Sequence, residues 1–502
     1  MSTRNLGFGL RLALLLGAAA LAGCSGGGSG SGGGRPQAQN TTTVGVITGF
    51  GSVHVNGVRY RTTNSTEIMM NGAPAAESTL EVGQVVMVKG SLDSDGREGE
   101  AHSIHMDAEV TGPVDSVGTD QLVVLGQTVL TDADTVFGRN MTPADLTSVQ
   151  VGDVLEVSGF RDADGAIVAS FIELAEANEP YRVHGTVASL DATASTFMIG
   201  DLVVDYSSAQ LSDFSSGAPM DGDVVRVKGT SLGAAGELVA TRVALATKEG
   251  EGEWHEGHEG DDGDVDLQGL VTAFTSSTDF EVAGQAVTTT ADTRYVFGTE
   301  SMLALDVQVE IDGSLDANGV LVARKIEFRG AQGVKISGSV DSVAPDQLVV
   351  LGVLIQTDML TRFRDDSSAD VRMFSAADIQ AGDYVEVSGT LLDPVTHEVV
   401  ASKVERENPR TDVRLAGPVD AVGTGTLDLL GLTVTTDGST LFEDADHQMT
   451  DSAGFFSQVA VGDFVRVVGD VTSATTIQAT RLGMASGYDH HEHEYEFGYG
   501  QH

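Results

Sequence analysis

Val151-Gly152-Asp153-Val154-Leu155-Glu156-Val157-Ser158-Gly159 is one of six related stretches in a single chain. The others are Val82–Gly90, Asp221–Gly229, a worn copy at Leu305–Gly313, Ala381–Gly389 and Val461–Gly469. Gly-Asp is turn chemistry, because glycine reaches positive φ freely and aspartate bonds its own nearby backbone. Alternation with a period of two follows. Leu155/Val157, Val86/Val88, Val225/Val227, Val309/Ile311, Val385/Val387 and Val465/Val467 are all apolar. Between them stand Glu156, Met87, Arg226, Glu310, Glu386 and Arg466. Side chains on a strand alternate faces, so the pairs point into a core and the intervening residues mostly toward water. The closing glycine ends the strand or bends it at a bulge.

Around each copy the chain repeats one order of elements, in units of roughly 65–80 residues, a size suited to small domains. First comes apolar-x-Gly-x-Val, as in Val110–Val114, Val183–Val187, Leu267–Val271, Ile336–Val340 and Leu415–Val419. A hairpin follows, as in Gln121–Thr131 and its near-duplicate Asp346–Asp358, and then a Thr-x-apolar element such as Thr135-Val136-Phe137. Thr142-Pro143-Ala144-Asp145 and Ser375-Ala376-Ala377-Asp378 read as one-turn helix starts, with an N-cap and a carboxylate at N3. The Gly-Asp strand and a last strand with Ala-x-x-apolar, such as Ala169–Ile172 and Ala401–Val404, close the unit. This order predicts an all-β protein of tandem small five-stranded OB-like barrels, about six of them. Closure removes exposed strand edges, and units this small need neighbours that pack or abut. A row of small open sandwiches or a continuous β-solenoid is the alternative; uneven spacing and the long insert after the third unit argue against the solenoid.

The boundaries are a signal peptide at 1–24, a Gly/Ser tether at 25–42, and repeats at 43–109, 110–178 and 180–247. An acidic linker at 248–265 then separates three units from three more, at 266–330, 334–407 and 412–483, before a His/Glu-rich tail at 484–502. Linker and tail are too polar to form a core and read as disordered, as does the N-terminal end. The repeats resemble the bacterial family of domain of unknown function 5666, OB-like barrels on exported lipoproteins. The resemblance rests on Gly-Asp-x-Val-x-Val-x-Gly and Ala-x-x-apolar and covers most of 43–483. It implies the fold and export and assigns no activity.

Arg4 and Arg11 precede a short apolar run, Leu12–Leu21, too short for a final membrane anchor. Leu21-Ala22-Gly23-Cys24 resembles the lipobox of bacterial lipoproteins, which implies cleavage before Cys24 and acylation of the only cysteine in the chain. Ser25, rather than aspartate, implies the outer membrane as destination, with the body on its periplasmic or surface side. The net charge of -45 opposes nucleic acid and direct docking on anionic lipid. Aromatics make up 5% of the chain, too few for ready base- or sugar-stacking platforms.

Two tracts have residue types that ligate divalent metal: His255, Glu256, His258 and Glu259 in the linker, and His490, His491 and His493 in the tail. Ordering a flexible tract costs about 1–2 kcal/mol per residue, so binding there would be weak and unselective. Asp93–Gly96, Asp162–Gly165 and Asp316–Gly319 look like half of a calcium loop. Lacking the later ligands and lying between two strands, they read as hairpin turns. The histidines within the units do not recur at matching positions, and no nucleophile elbow, phosphate loop or His-Glu-x-x-His stands in the sequence. The expectation is a non-enzymatic, lipid-anchored envelope protein without a dedicated cofactor, acting as a binding or spacing module. Its partners would be the membrane through the anchor and an envelope protein or glycan, with divalent-metal capture by the two tracts as the alternative.

Overall fold

The computed structural model describes residues 39–93, 96–132, 134–215, 217–246, 264–329, 333–393, 395–444 and 448–484. Each unit is built the same way. In unit 2 the first strand, Val110–Val117, pairs antiparallel with the hairpin strand Gln121–Val124, which pairs with Gln127–Leu130. That strand runs parallel to the last strand, Ile167–Leu174. The last strand pairs with the Gly-Asp strand, Val154–Arg161, which returns to the first. Five strands therefore close on themselves in the order first, second, third, fifth, fourth. The Thr-x-apolar element adds a short parallel strand on the fifth, Val136–Phe137 in this unit. In unit 3 the first strand is split at Val187 into Tyr181–Thr186 and Ala188–Asp191, and the same circuit closes.

The Gly-Asp signature works as its chemistry dictates. Gly152 has φ +94, its N–H donates to the Val114 carbonyl (2.9 Å), and Asp153 Oδ2 accepts from the Gln150 N–H (2.8 Å). In the worn copy Asp306 takes the left-handed position (φ +64) and donates to the Val271 carbonyl, a conformation aspartate tolerates better than most residues. The closing glycine does not end the strand. All six mark a bulge, with the register shifting at Gly90, Gly159, Gly229, Gly313, Gly389 and Gly469. A Cβ on Gly389 would lie 2.3 Å from the Val400 carbonyl oxygen across the ladder, so no side chain fits. The first-strand glycine has another task. A Cβ on Gly112 would sit 2.6 Å from the Cβ of Leu125, which occupies the positive-φ hairpin turn and is buried.

Two local expectations need correction. The tether expected over 25–42 ends sooner, because the first strand begins at Gln39 and pairs back as far as Leu92. Thr41 and Thr43 are buried in it, β-branched residues suited to a pleated surface. In unit 2 the one-turn helix begins at Leu146 instead of following Thr142. Asp145 is its cap, accepting from the Thr147 N–H (2.8 Å). Ser375 and Asp378 form the expected capping box.

The hairpin pairs only with the second half of each first strand, leaving one edge of the first half open. That edge is where barrels join, since an open edge offers unpaired N–H and C=O groups. Units 2 and 3 join antiparallel there (Thr111↔Arg182), as do units 5 and 6 (Ser337↔Arg414). Units 1 and 4 join parallel, with Thr41↔Asp264 through Val44↔Leu267. The result is three thirteen-stranded sheets, each of two barrels. The sheet of units 1 and 4 joins units from the two sides of the linker. The described residues form one compact unit. The linker residues themselves lie outside the described residues, apart from Asp264 and Val265, which are already in the first strand of unit 4.

Candidate functional site

The residue between the two core valines was expected to face water. In units 2 and 4 it does not: Glu156 is 5% exposed and Glu310 2%. Each lies directly opposite a glutamate on the last strand, Glu156↔Glu173 and Glu310↔Glu327, and unit 5 repeats the pair as Glu386↔Glu405. A second barrel covers this outer face, so a period-two strand is buried on both sides. Like charges opposite each other repel, and burial raises the cost of ionising them.

Unit 5 meets that cost with lysines and unit 4 only in part: burial, with Glu327, raises Glu310 to about 7 although Lys325 works to lower it. Lys325 Nζ donates to Glu310 (2.9 Å) and Glu327 (3.2 Å). Lys403 Nζ lies 2.9 Å from Glu405, and Lys335 Nζ 2.7 Å from Glu386. Burial pushes the Glu386 carboxyl up, but Lys335 and Lys403, with donation from Lys335 and Ser337, outweigh it and hold the group well below the usual carboxylate range. In unit 2 the position of Lys403 is Phe171 and that of Lys335 is Glu109. Glu156 rises to about 7 through burial first and then the Glu179 charge; Glu173 rises to about 7 through burial, Glu156 and Glu81.

The remaining charges tie barrels together. Arg362 of unit 5 donates to the Asp134 carbonyl of unit 2 (2.8 Å) and approaches its carboxylate (3.0 Å). Ser402 Oγ donates to the same carboxylate (2.8 Å). Arg139 of unit 2 pairs with Asp370 of unit 5, and Arg372 of unit 5 donates to the Leu80 carbonyl of unit 1 (2.7 Å). Arg329 of unit 4 bonds Asp358 of unit 5 (3.1 Å). Asn56 Nδ2 of unit 1 donates to Asp266 of unit 4 (3.0 Å), whose carboxyl is raised by burial and by Glu310. Units 1, 2, 4 and 5 meet at a cavity of about 60 Å³ lined by Thr48, Asp132, Gln268, Glu310, Arg329 and Arg362 among others. That is room for a few waters. A small apolar cluster beside it joins Val46, Phe160 and Leu270 from three units.

The residues singled out in the sequence are placed differently. Cys24, His255, Glu256, His258, Glu259, His490, His491 and His493 lie outside the described residues. Among the described residues there is no group of three or more His, Cys, Asp or Glu placed to hold a metal ion. Two of the three Asp-x-Asp/Asn-Gly segments are turns: Asp162 Oδ1 accepts from the Asp164 (3.0 Å) and Ala166 (2.8 Å) N–H groups, and Asp316 Oδ1 from those of Asn318 (2.8 Å) and Val320 (2.9 Å); in the third, Ser94 and Asp95 lie outside the described residues. Sequence reading missed the glutamate rows. The signal was there in Lys325 and Lys403, two residues after the recurring alanine of the last strand, where a wholly solvent-facing row would need no fixed cation.

The family domain of unknown function (DUF5666) matches this chain six times, over residues 43–104, 111–173, 184–244, 268–327, 337–405 and 416–483. The chain belongs to the DUF5666 family. Each DUF5666 match coincides with one closed barrel, running from its first strand to its last. No match was found among curated proteins. Among the described residues no helix is long and apolar enough to cross a membrane, which says nothing about strands.

Proposed function

We propose that this DUF5666 chain is a non-catalytic, lipid-anchored envelope protein that presents six barrels as one rigid binding or spacing body. The observation that carries this reading is where these polar side chains reach. Arg329, Arg362, Arg372 and Asn56 each reach from one barrel to another. A string of independent domains has no use for such ties, whereas a body that must hold fixed faces toward a partner does. The Leu21–Cys24 motif supports attachment through an acyl chain at Cys24, and the acidic surface supports a protein or glycan partner over nucleic acid.

Two arms test this. Palmitate labelling of cells should mark the wild-type protein and not Cys24→Ala, with the variant lost from the outer-membrane fraction. Crosslinking in intact envelopes, paired with a glycan array on the soluble body, should return a partner. Empty results from both would count against binding and leave spacing, which predicts that a body shortened by one barrel pair alters envelope geometry. The reading fails if Cys24→Ala labels and fractionates as wild type does.

A further inference from the structure

The unit 2 glutamate row faces a turn of unit 1 under unusual conditions. Asn71 (φ +53) is buried and locked. Its N–H donates to the Met106 carbonyl (2.7 Å) and its Oδ1 accepts from the Ala108 N–H (3.0 Å). Its Nδ2 donates to Glu156 Oε2 (2.8 Å), and its carbonyl accepts from Lys228 Nζ of unit 3 (2.9 Å). One turn of unit 1 therefore sits on units 2 and 3 at once. A second contact lies nearby, where the Val85 N–H donates to Ser158 Oγ (2.8 Å). Here unit 1 carries Gln84, fully buried, where four other units carry the turn aspartate.

The register sets which charges the strands around Glu156 bring to it. Across the sheet run Glu173, Glu156, Thr111, Arg182 and Lys228, each opposite the next. Glu176 and Glu179 follow the last strand, Asp107 precedes the first, and unit 1 contributes Glu81. The cations are engaged elsewhere. Arg182 bonds Glu179 (2.9 Å), Lys228 bonds the Asn71 carbonyl, Arg226 is 3.9 Å from Asp107, and Arg139 lies 3.7 Å from Glu81. Where units 4 and 5 place a lysine between the two glutamates, unit 2 has Phe171, 2% exposed.

We propose that Glu156 and Glu173 form an acid-closed latch: holding a proton they keep the Asn71 turn of unit 1 seated on units 2 and 3, and fully ionised they release it. Closure buries Glu156 and half-buries Glu173 with no lysine between them, and opening lets water reach both carboxylates. Both groups have folded pKa values raised from 4.5 to about 7. The seated state therefore holds more protons than the open one between those limits. Its stability is greatest near the lower limit and is lost as pH rises toward and past the upper one.

Amide hydrogen exchange on the full chain tests this, at about pH 5.5 and about pH 8 with intrinsic rates corrected. Protection of segments 67–74 and 81–88 should fall more than about tenfold at the higher pH, since each pKa unit is a factor of ten. Segment 441–450 in unit 6, which has no such pair, should not change. Glu173→Gln should flatten the dependence. Phe171→Lys, which copies Lys403 of unit 5, should flatten it independently should the first variant fold poorly. Equal wild-type protection at both pH values, or an undiminished fall in either folded variant, would overturn the latch.

Discussion

Units 2 and 5 have the same strands, the same bulge and the same pair of facing glutamates, yet their charge rows behave oppositely. In unit 5 Lys335 and Lys403 pair with Glu386 and Glu405, and Glu386 is held well below the usual carboxylate range, in a row that accepts a neighbouring barrel. In unit 2 Glu109 and Phe171 stand at those positions, and Glu109 is itself taken by Arg161 (3.0 Å) and His184 (3.4 Å). Burial works to raise Glu109, but His184 and Arg161 together hold it down to about 2, so it stays ionised and, as an anion, cannot take the part of Lys335. A repeat can thus keep its backbone while two substitutions change a fixed joint into one that depends on protons.

The comparison can be broken from the unit 5 side. Lys403→Met leaves two buried glutamates short of a cation and should cost about 3–5 kcal/mol at neutral pH, the usual penalty for halving a buried pair. The loss should shrink toward pH 5, because the pair can then take up a proton. Denaturant unfolding at the two pH values measures both; a pH-independent loss would mean that packing, not charge, is what Lys403 supplies. A smaller effect sharpens the comparison by holding charge constant. Gly159→Ala and Gly389→Ala each force a Cβ against a carbonyl oxygen, at 2.2 and 2.3 Å, and should cost about 2 kcal/mol apiece with no pH dependence. Unequal losses would place the difference between the units in the backbone.

The smallest expected effect concerns the two tracts outside the barrels. If they take up metal, calorimetry with zinc, copper and nickel will show weak uptake that disappears when 248–263 and 485–502 are deleted, with the barrel unfolding midpoint unchanged. Equal uptake after deletion would remove the tracts from consideration.

The sequence was a good guide to most rules that act within one barrel, the helix start at Thr142 excepted. Alternating valines, Gly-Asp turns and the capping box at Ser375 each depend on a few neighbouring residues, and each stands where it was expected. It was a poor guide between barrels. Period-two alternation tells which residues leave the core but not what meets them outside, so Glu156 and Glu310 read as solvent positions. Nor does anything local say that Thr41–Val44 will pair with Asp264–Leu267 across a linker, since both first strands offer the same kind of open edge. Subtler signs did exist: Gln84 in place of the turn aspartate marks the one turn packed against Val136 and Ser170 of another unit, where a carboxylate would be stranded.

Whether the barrels form one body across the linker can be decided by cutting it. With a protease site placed within 251–260, the cleaved protein should still elute from gel filtration as a single species of intact size, held by the parallel pairing of units 1 and 4 and the contacts of units 1 and 2 with unit 5. Two separate halves eluting apart under native conditions would contradict the account.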